Sequence, residues 1–101
     1  MKFGQHIRPT MNNKNEPQLQ FKILTPAAEF FSGPVYEVIL PTASGEIGIL
    51  PGHIPYLTYL KSGEIMYREQ KNSSLQRLCR IKDGFVELNH CELTILTNEV
   101  M

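Results

Sequence analysis

From Leu19 onward, apolar and polar residues alternate with a period of two in short segments broken by turn residues. In LQFKI, Leu19, Phe21 and Ile23 share one face while Gln20 and Lys22 share the other, which predicts a strand covered on one side. VYEVIL (Val35 to Leu40) is apolar on both faces apart from Glu37, as in a strand covered twice or lying at an interface. EIMYREQ and QRLCRIK flank Asn72–Ser74 and predict a hairpin. GFVELN and ELTILT flank the His90–Cys91 corner and predict another, with Val86 and Leu88 facing Leu93 and Ile95. No stretch holds a 3.6-residue period beyond a turn or two, and no segment repeats. Many short strands at this spacing predict an all-β sandwich or barrel.

One segment departs from simple alternation. Gly45 to His53, GEIGILPGH, sets three glycines and a proline around Ile47, Ile49 and Leu50. Glycine is avoided in strand interiors because it loses the most backbone freedom on ordering. Ile47 and Ile49 are expected in the core, with glycines where the backbone bends. The continuation HIPYLTYLKSG places His53, Ile54, Tyr56 and Tyr59 on chain stiffened by Pro51 and Pro55. Stiff backbone loses less entropy on docking, so this end reads as an interface.

Residues 1–18 are polar, asparagine-rich and aperiodic, and are expected to form a flexible tail ahead of a single domain at 19–101. A chain of 101 residues buries roughly 60–70% of its unfolded surface, enough for one modest core. Ten basic residues balance ten acidic ones without a run of either sign, which argues against nucleic acid as a partner. No apolar run approaches the roughly 20 residues of a membrane-spanning helix. Two cysteines, Cys79 and Cys91, are too few for a disulfide framework and are expected as free thiols in a reducing compartment.

Candidate chemistry is thin. The glycine cluster lacks the Gly-Lys-Ser/Thr ending of a phosphate loop, so nucleotide binding through that motif is not expected. His90 and Cys91 are adjacent, but neighbours on a strand point to opposite faces and neighbours at a hairpin tip are simply solvated. Cys79 shares a face with Ile81 and reads as a small buried apolar group. No histidines or cysteines stand at zinc spacing. No catalytic residue, metal or cofactor is expected.

LTPAAEFFSGPVYEVILPTASGEIGILPGHIPYLTYLKSGEI (Leu24 to Ile65) resembles the N-terminal β-sandwich domain of the epsilon subunit of F-type ATP synthases. The resemblance rests on Phe31-Ser32-Gly33, Gly45 through His53, Pro55 and Leu60-Lys61-Ser62-Gly63 in that order. Downstream, DGFVELNHCELTILTNE resembles the family's closing hairpin. Three positions depart from the family pattern: Ser62 where proline is common, Ile54 where alanine is common, and Asp83 where a glycine often sits. The helical hairpin with which family members usually continue, the part that regulates ATP hydrolysis, has no counterpart before Met101, so no inhibitory role is expected of this chain.

The resemblance implies a two-sheet antiparallel sandwich of about ten short strands. It also implies a non-catalytic rotor subunit of the central stalk, linking the gamma subunit to the c-ring during ion-driven ATP synthesis. By position, it implies c-ring contacts at Ser44, Glu46 and His53 and gamma contacts at Thr25, Tyr56 and Thr58. It places the protein on the cytoplasmic face of a bacterial inner membrane, or the organelle equivalent, membrane-associated only through the complex. The alternative of another class is a free-standing β-sandwich adaptor or regulatory binding module.

Overall fold

The computed structural model describes residues 10–12 and 16–101; most of the expected tail, residues 1–9 and 13–15, lies outside the described residues. Ten strands follow in chain order: β1 (Thr10–Met11), β2 (Pro17–Leu24), β3 (Glu29–Val35), β4 (Glu37–Thr42), β5 (Gly45–Ile49), β6 (Tyr56–Leu60), β7 (Gly63–Arg68), β8 (Gln76–Ile81), β9 (Gly84–Asn89) and β10 (Glu92–Leu96). Among the described residues there is no helix. Strand β2 opens at Pro17, two residues before the alternation becomes legible, and β1 pairs with that opening.

The strands fall into two layers. One runs β3-β2-β10-β9-β6 and the other β5-β4-β7-β8. A single register pair, Thr42 opposite Leu60, ties β4 to β6, so the sandwich is one curled sheet joined at a corner. Pairing is antiparallel except between β10 and β2, which run parallel from Glu92–Gln20 to Leu96–Leu24. Antiparallel neighbours are set by short hairpins, whereas parallel ones need a long crossover. Here the whole intervening chain is that crossover.

VYEVIL is not one strand. Val35 ends β3 and Glu37 opens β4, with a bend at Tyr36 whose amide donates to the Arg68 carbonyl at 2.8 Å. The bend carries the chain from one layer to the other and shifts its phase. Val35, Val38 and Leu40 all point into the core. In an unbroken strand, Val35 and Val38 would face opposite ways.

The alternation read from LQFKI holds: Leu19, Phe21 and Ile23 are fully buried. Leu88 stands opposite Leu93 and Val86 opposite Ile95, as the hairpin pattern requires. Ile65, Cys79 and Ile81 close the core from β7 and β8. Each large side chain removed from water in this way stabilises the fold by about 1.5–3 kcal/mol. Phe31 of β3 bridges the layers, with ring centroids 5.4 Å from Phe21 and 6.0 Å from Tyr67 of β7. Ile49 is fully buried and Ile47 packs against the same core.

Candidate functional site

The outward faces of the two layers differ in kind. On the β4–β7–β8 side, Arg68 Nε binds Glu37 Oε1 at 3.0 Å and Arg77 Nε binds Glu64 Oε2 at 2.9 Å. Arg80 stands opposite Glu64 in the ladder. This face is mixed in charge and internally paired, as a solvated face should be. The opposite layer turns Leu57, Tyr59 and Leu96 outward, and Tyr59 is 73% exposed. Large apolar side chains gathered on one exposed face mark an interaction surface.

Tyr59 packs against Phe85 with centroids 5.1 Å apart. Beside them lies a groove of about 680 Å³, lined by Leu24, Thr25, Pro26, Phe85, Leu96 and Asn98 among others. Thr25 closes the β2–β3 turn that walls this groove. Its hydroxyl donates to the Ala28 carbonyl at 3.0 Å and accepts from the Ala28 amide at 3.1 Å.

A second surface follows the outer edge of β5, which among the described residues pairs only with β4. At one end is the turn Ala43–Ser44. There the Thr42 hydroxyl donates to the Gly45 carbonyl at 2.6 Å and accepts from the Ser44 amide at 3.2 Å. Gly45 has a φ of 119°, a conformation that side-chain-bearing residues rarely adopt. Glu46 is exposed on the strand. At the other end, Leu50 to Pro55 forms a turn whose exposed His53 donates from Nδ1 to the Ile54 carbonyl at 2.9 Å. The His53 ring meets Tyr56 edge-on at 5.8 Å.

Of the residues expected at the first interface, Ser44, Glu46 and His53 are all exposed, but they occupy opposite ends of β5. Ser44 and Glu46 sit together and His53 lies beyond Ile49. Of the second set, Thr25 lines the groove, whereas Tyr56 packs against the core and Thr58 stands opposite buried Val86, half-covered. The outward positions of β6 are Leu57 and Tyr59. A signal for them was present, because YLTYL is apolar on both faces, the same criterion that marks a covered strand.

His90 and Cys91 form the two-residue turn between Asn89 and Glu92, with φ of 51° and 66°. Burial pushes the Cys79 thiol above its ordinary range, and nearby Arg77 opposes this more weakly. Among the described residues, no three His, Cys, Asp or Glu side chains are placed to hold a metal, and no helix is long and apolar enough to cross a membrane.

Residues 18–101 match the family described as ATP synthase, Delta/Epsilon chain, beta-sandwich domain. The ATP synthase epsilon chain of Nostoc punctiforme is 36% identical over 80 residues, covering 79% of this chain and 58% of that protein. The chloroplastic ATP synthase epsilon chain of Euglena gracilis is 41% identical over 81 residues, 80% of this chain and 59% of that one. This chain thus spans less than two thirds of the length of these relatives. Its fold resembles a chain in the Euglena gracilis mitochondrial ATP synthase structure (OSCP/F1/c-ring), with a TM-score of 0.73 at 22% identity, covering 92% of this chain and 59% of that chain. It also resembles one in the Tetrahymena thermophila mitochondrial ATP synthase central stalk/c-ring structure, with a TM-score of 0.66 at 20% identity, covering 91% and 69%.

Proposed function

The chain belongs to the β-sandwich domain family of ATP synthase delta and epsilon chains, and we propose that it is a non-catalytic rotor piece seated between the gamma subunit and the c-ring. The observation that carries this reading is the presence of two separate exposed surfaces on one sandwich. One is the apolar groove face at Tyr59, Phe85 and Leu96; the other is the β5 edge with its flanking turns.

The groove face, with Thr25 at its wall, docks gamma. Tyr56 and Thr58 support it from beneath, because they hold β6 against the core while Leu57 and Tyr59 project. The β5 edge faces the polar loops of the ring. Laid along the ring, this edge brings Ser44, Glu46 and His53 to one margin although they sit at opposite ends of the strand. Glu46 accepts charge-assisted hydrogen bonds from a basic loop residue. An exposed pair of this kind contributes about 0–1 kcal/mol, so it sets register more than affinity. Torque passes through the domain because close-packed interiors compress little. Such a subunit sits on the cytoplasmic face of a bacterial inner membrane or its organelle counterpart, held there by the complex.

The test is capture by the tagged chain from detergent-solubilised membranes of the source organism. Gamma and c subunits are expected in the captured fraction, with Glu46→Lys releasing the ring while retaining gamma and a native unfolding curve. Capture of neither subunit overturns the reading in favour of a free-standing adaptor, and unchanged ring capture by Glu46→Lys removes that residue from the interface.

A further inference from the structure

The turn that carries His53 is fixed residue by residue. Leu50–Pro51–Gly52–His53 closes with the His53 amide donating to the Leu50 carbonyl at 3.1 Å, and Gly52 has a φ of 87°. Proline second and glycine third, with positive φ at the glycine, is the pattern of a type II turn. Pro55 then holds Ile54 extended, because a proline disfavours the helical region for the residue before it. The Ile54 carbonyl so placed receives the His53 Nδ1–H at 2.9 Å. The imidazole also meets the Tyr56 ring edge-on, with 77° between the planes. Backbone, ring nitrogen and ring plane are all held, yet the side chain stays exposed.

A carbonyl only accepts, so Nδ1 carries the proton and the neutral ring keeps a lone pair on Nε2. Among the described residues, Nε2 has no hydrogen-bond partner. We propose that His53 is a tautomer-locked acceptor, whose Nε2 receives a hydrogen bond from an N–H donor on the polar loops of the c-ring, with Tyr56 as the positioning residue that holds the imidazole. The inference rests on the rotor reading above and adds the polarity of the contact. At the other end of β5, Glu46 is exposed and its carboxylate also only accepts. Both ends of the edge therefore present acceptors. A loop bearing arginine, lysine, asparagine or glutamine fits each of them, and a loop of carboxylates fits neither. Tyr56 packs against the core as well as against His53, so the imidazole is braced by the body of the sandwich.

The experiment joins detergent-purified c-rings to the chain bound to gamma, and compares the unsubstituted chain with His53→Asn and His53→Gln. Asparagine places a donor near the Nδ1 position and preserves the bond to the Ile54 carbonyl, but reaches no further. Glutamine carries an acceptor out to where Nε2 stands. Ring affinity is expected to fall roughly fivefold in His53→Asn, the worth of one hydrogen bond, and to stay within about twofold in His53→Gln. Long-range hydrogen–nitrogen correlation spectra of the free chain are expected to find the imidazole proton on Nδ1. Tyr56→Leu, or Tyr56→Met should the first unfold, should weaken ring binding and add nothing to the loss in His53→Asn; additive losses remove Tyr56 as the positioning residue. A proton on Nε2, or a loss in His53→Gln as large as that in His53→Asn, overturns the acceptor. If the unsubstituted complex does not join the ring, the rotor reading fails first and this proposal falls with it; joining with equal affinity in all three chains removes this proposal alone.

Discussion

Thr42 faces Leu60 at the corner where the two layers become one sheet, and both side chains are buried. The threonine hydroxyl is committed on both sides, to the Gly45 carbonyl and the Ser44 amide. Thr42→Val keeps the shape and deletes both bonds. It should cost about 0.5–1.5 kcal/mol, the net worth of an ordinary intramolecular hydrogen bond whose partners can turn to water, measured as a lower urea midpoint with an unchanged slope.

Gly63 and Gly52 resist substitution for different reasons. A Cβ on Gly63 would meet the Pro41 Cβ at 2.7 Å, with no flexible side-chain end to yield. Gly52 has open space but a φ of 87°. Gly63→Ala should destabilise by about 1–3 kcal/mol through overpacking. Gly52→Ala should lose about 1–2 kcal/mol through backbone strain alone. Pro41→Gly, which removes the opposing Cβ, should offset part of the loss caused by Gly63→Ala and none of that caused by Gly52→Ala in double-mutant cycles; equal offsets would contradict the distinction.

The turn at His90–Cys91 uses two side-chain-bearing residues where the backbone is left-handed at both. Asn-Gly is the pair best suited to such turns. The double substitution His90→Asn, Cys91→Gly should therefore raise stability by about 1 kcal/mol, read as a higher thermal midpoint. No gain would mean that the native side chains supply compensating contacts.

Cys79 is buried between Ile65 and Ile81 while Cys91 is half-exposed. A thiol reagent at mild alkaline pH should modify Cys91 in the folded protein and reach Cys79 only after unfolding. Because burial raises the Cys79 value in the folded state, the unfolded chain sheds that proton first as pH climbs. The contribution is complete below the ordinary thiol range and is lost as pH rises above it. Cys79→Ala should flatten that alkaline decline, and a slope unchanged from the unsubstituted protein would exclude the thiol as its source.

The residues that alternate cleanly were legible. Leu19, Phe21 and Ile23 declare their face because their neighbours are polar, and the β9–β10 hairpin follows from its two-residue corner. Segments apolar throughout were not. VYEVIL hides the bend at Tyr36 because both halves are hydrophobic, and only the hydrogen-bond partners, β2 for one and β5 and β7 for the other, distinguish them. YLTYL presents the same difficulty in the interface. Tyr56 and Tyr59 are the same residue type, and which one faces water depends on register with β9, set by contacts nearly thirty residues away. Parallel pairing of β10 with β2 leaves no local trace at all.

That last pairing governs the order in which the molecule can be made. Strand β10 slots between β9 and β2, so the middle of one layer is supplied by a segment about seventy residues further along the chain than its parallel neighbour. Until Glu92–Leu96 emerge, β2 and β9 each carry a raw hydrogen-bonding edge beside apolar side chains, an arrangement prone to mispairing. The nascent chain therefore depends on shielding until that strand emerges, and closure of the layer waits on a contact between segments far apart in sequence.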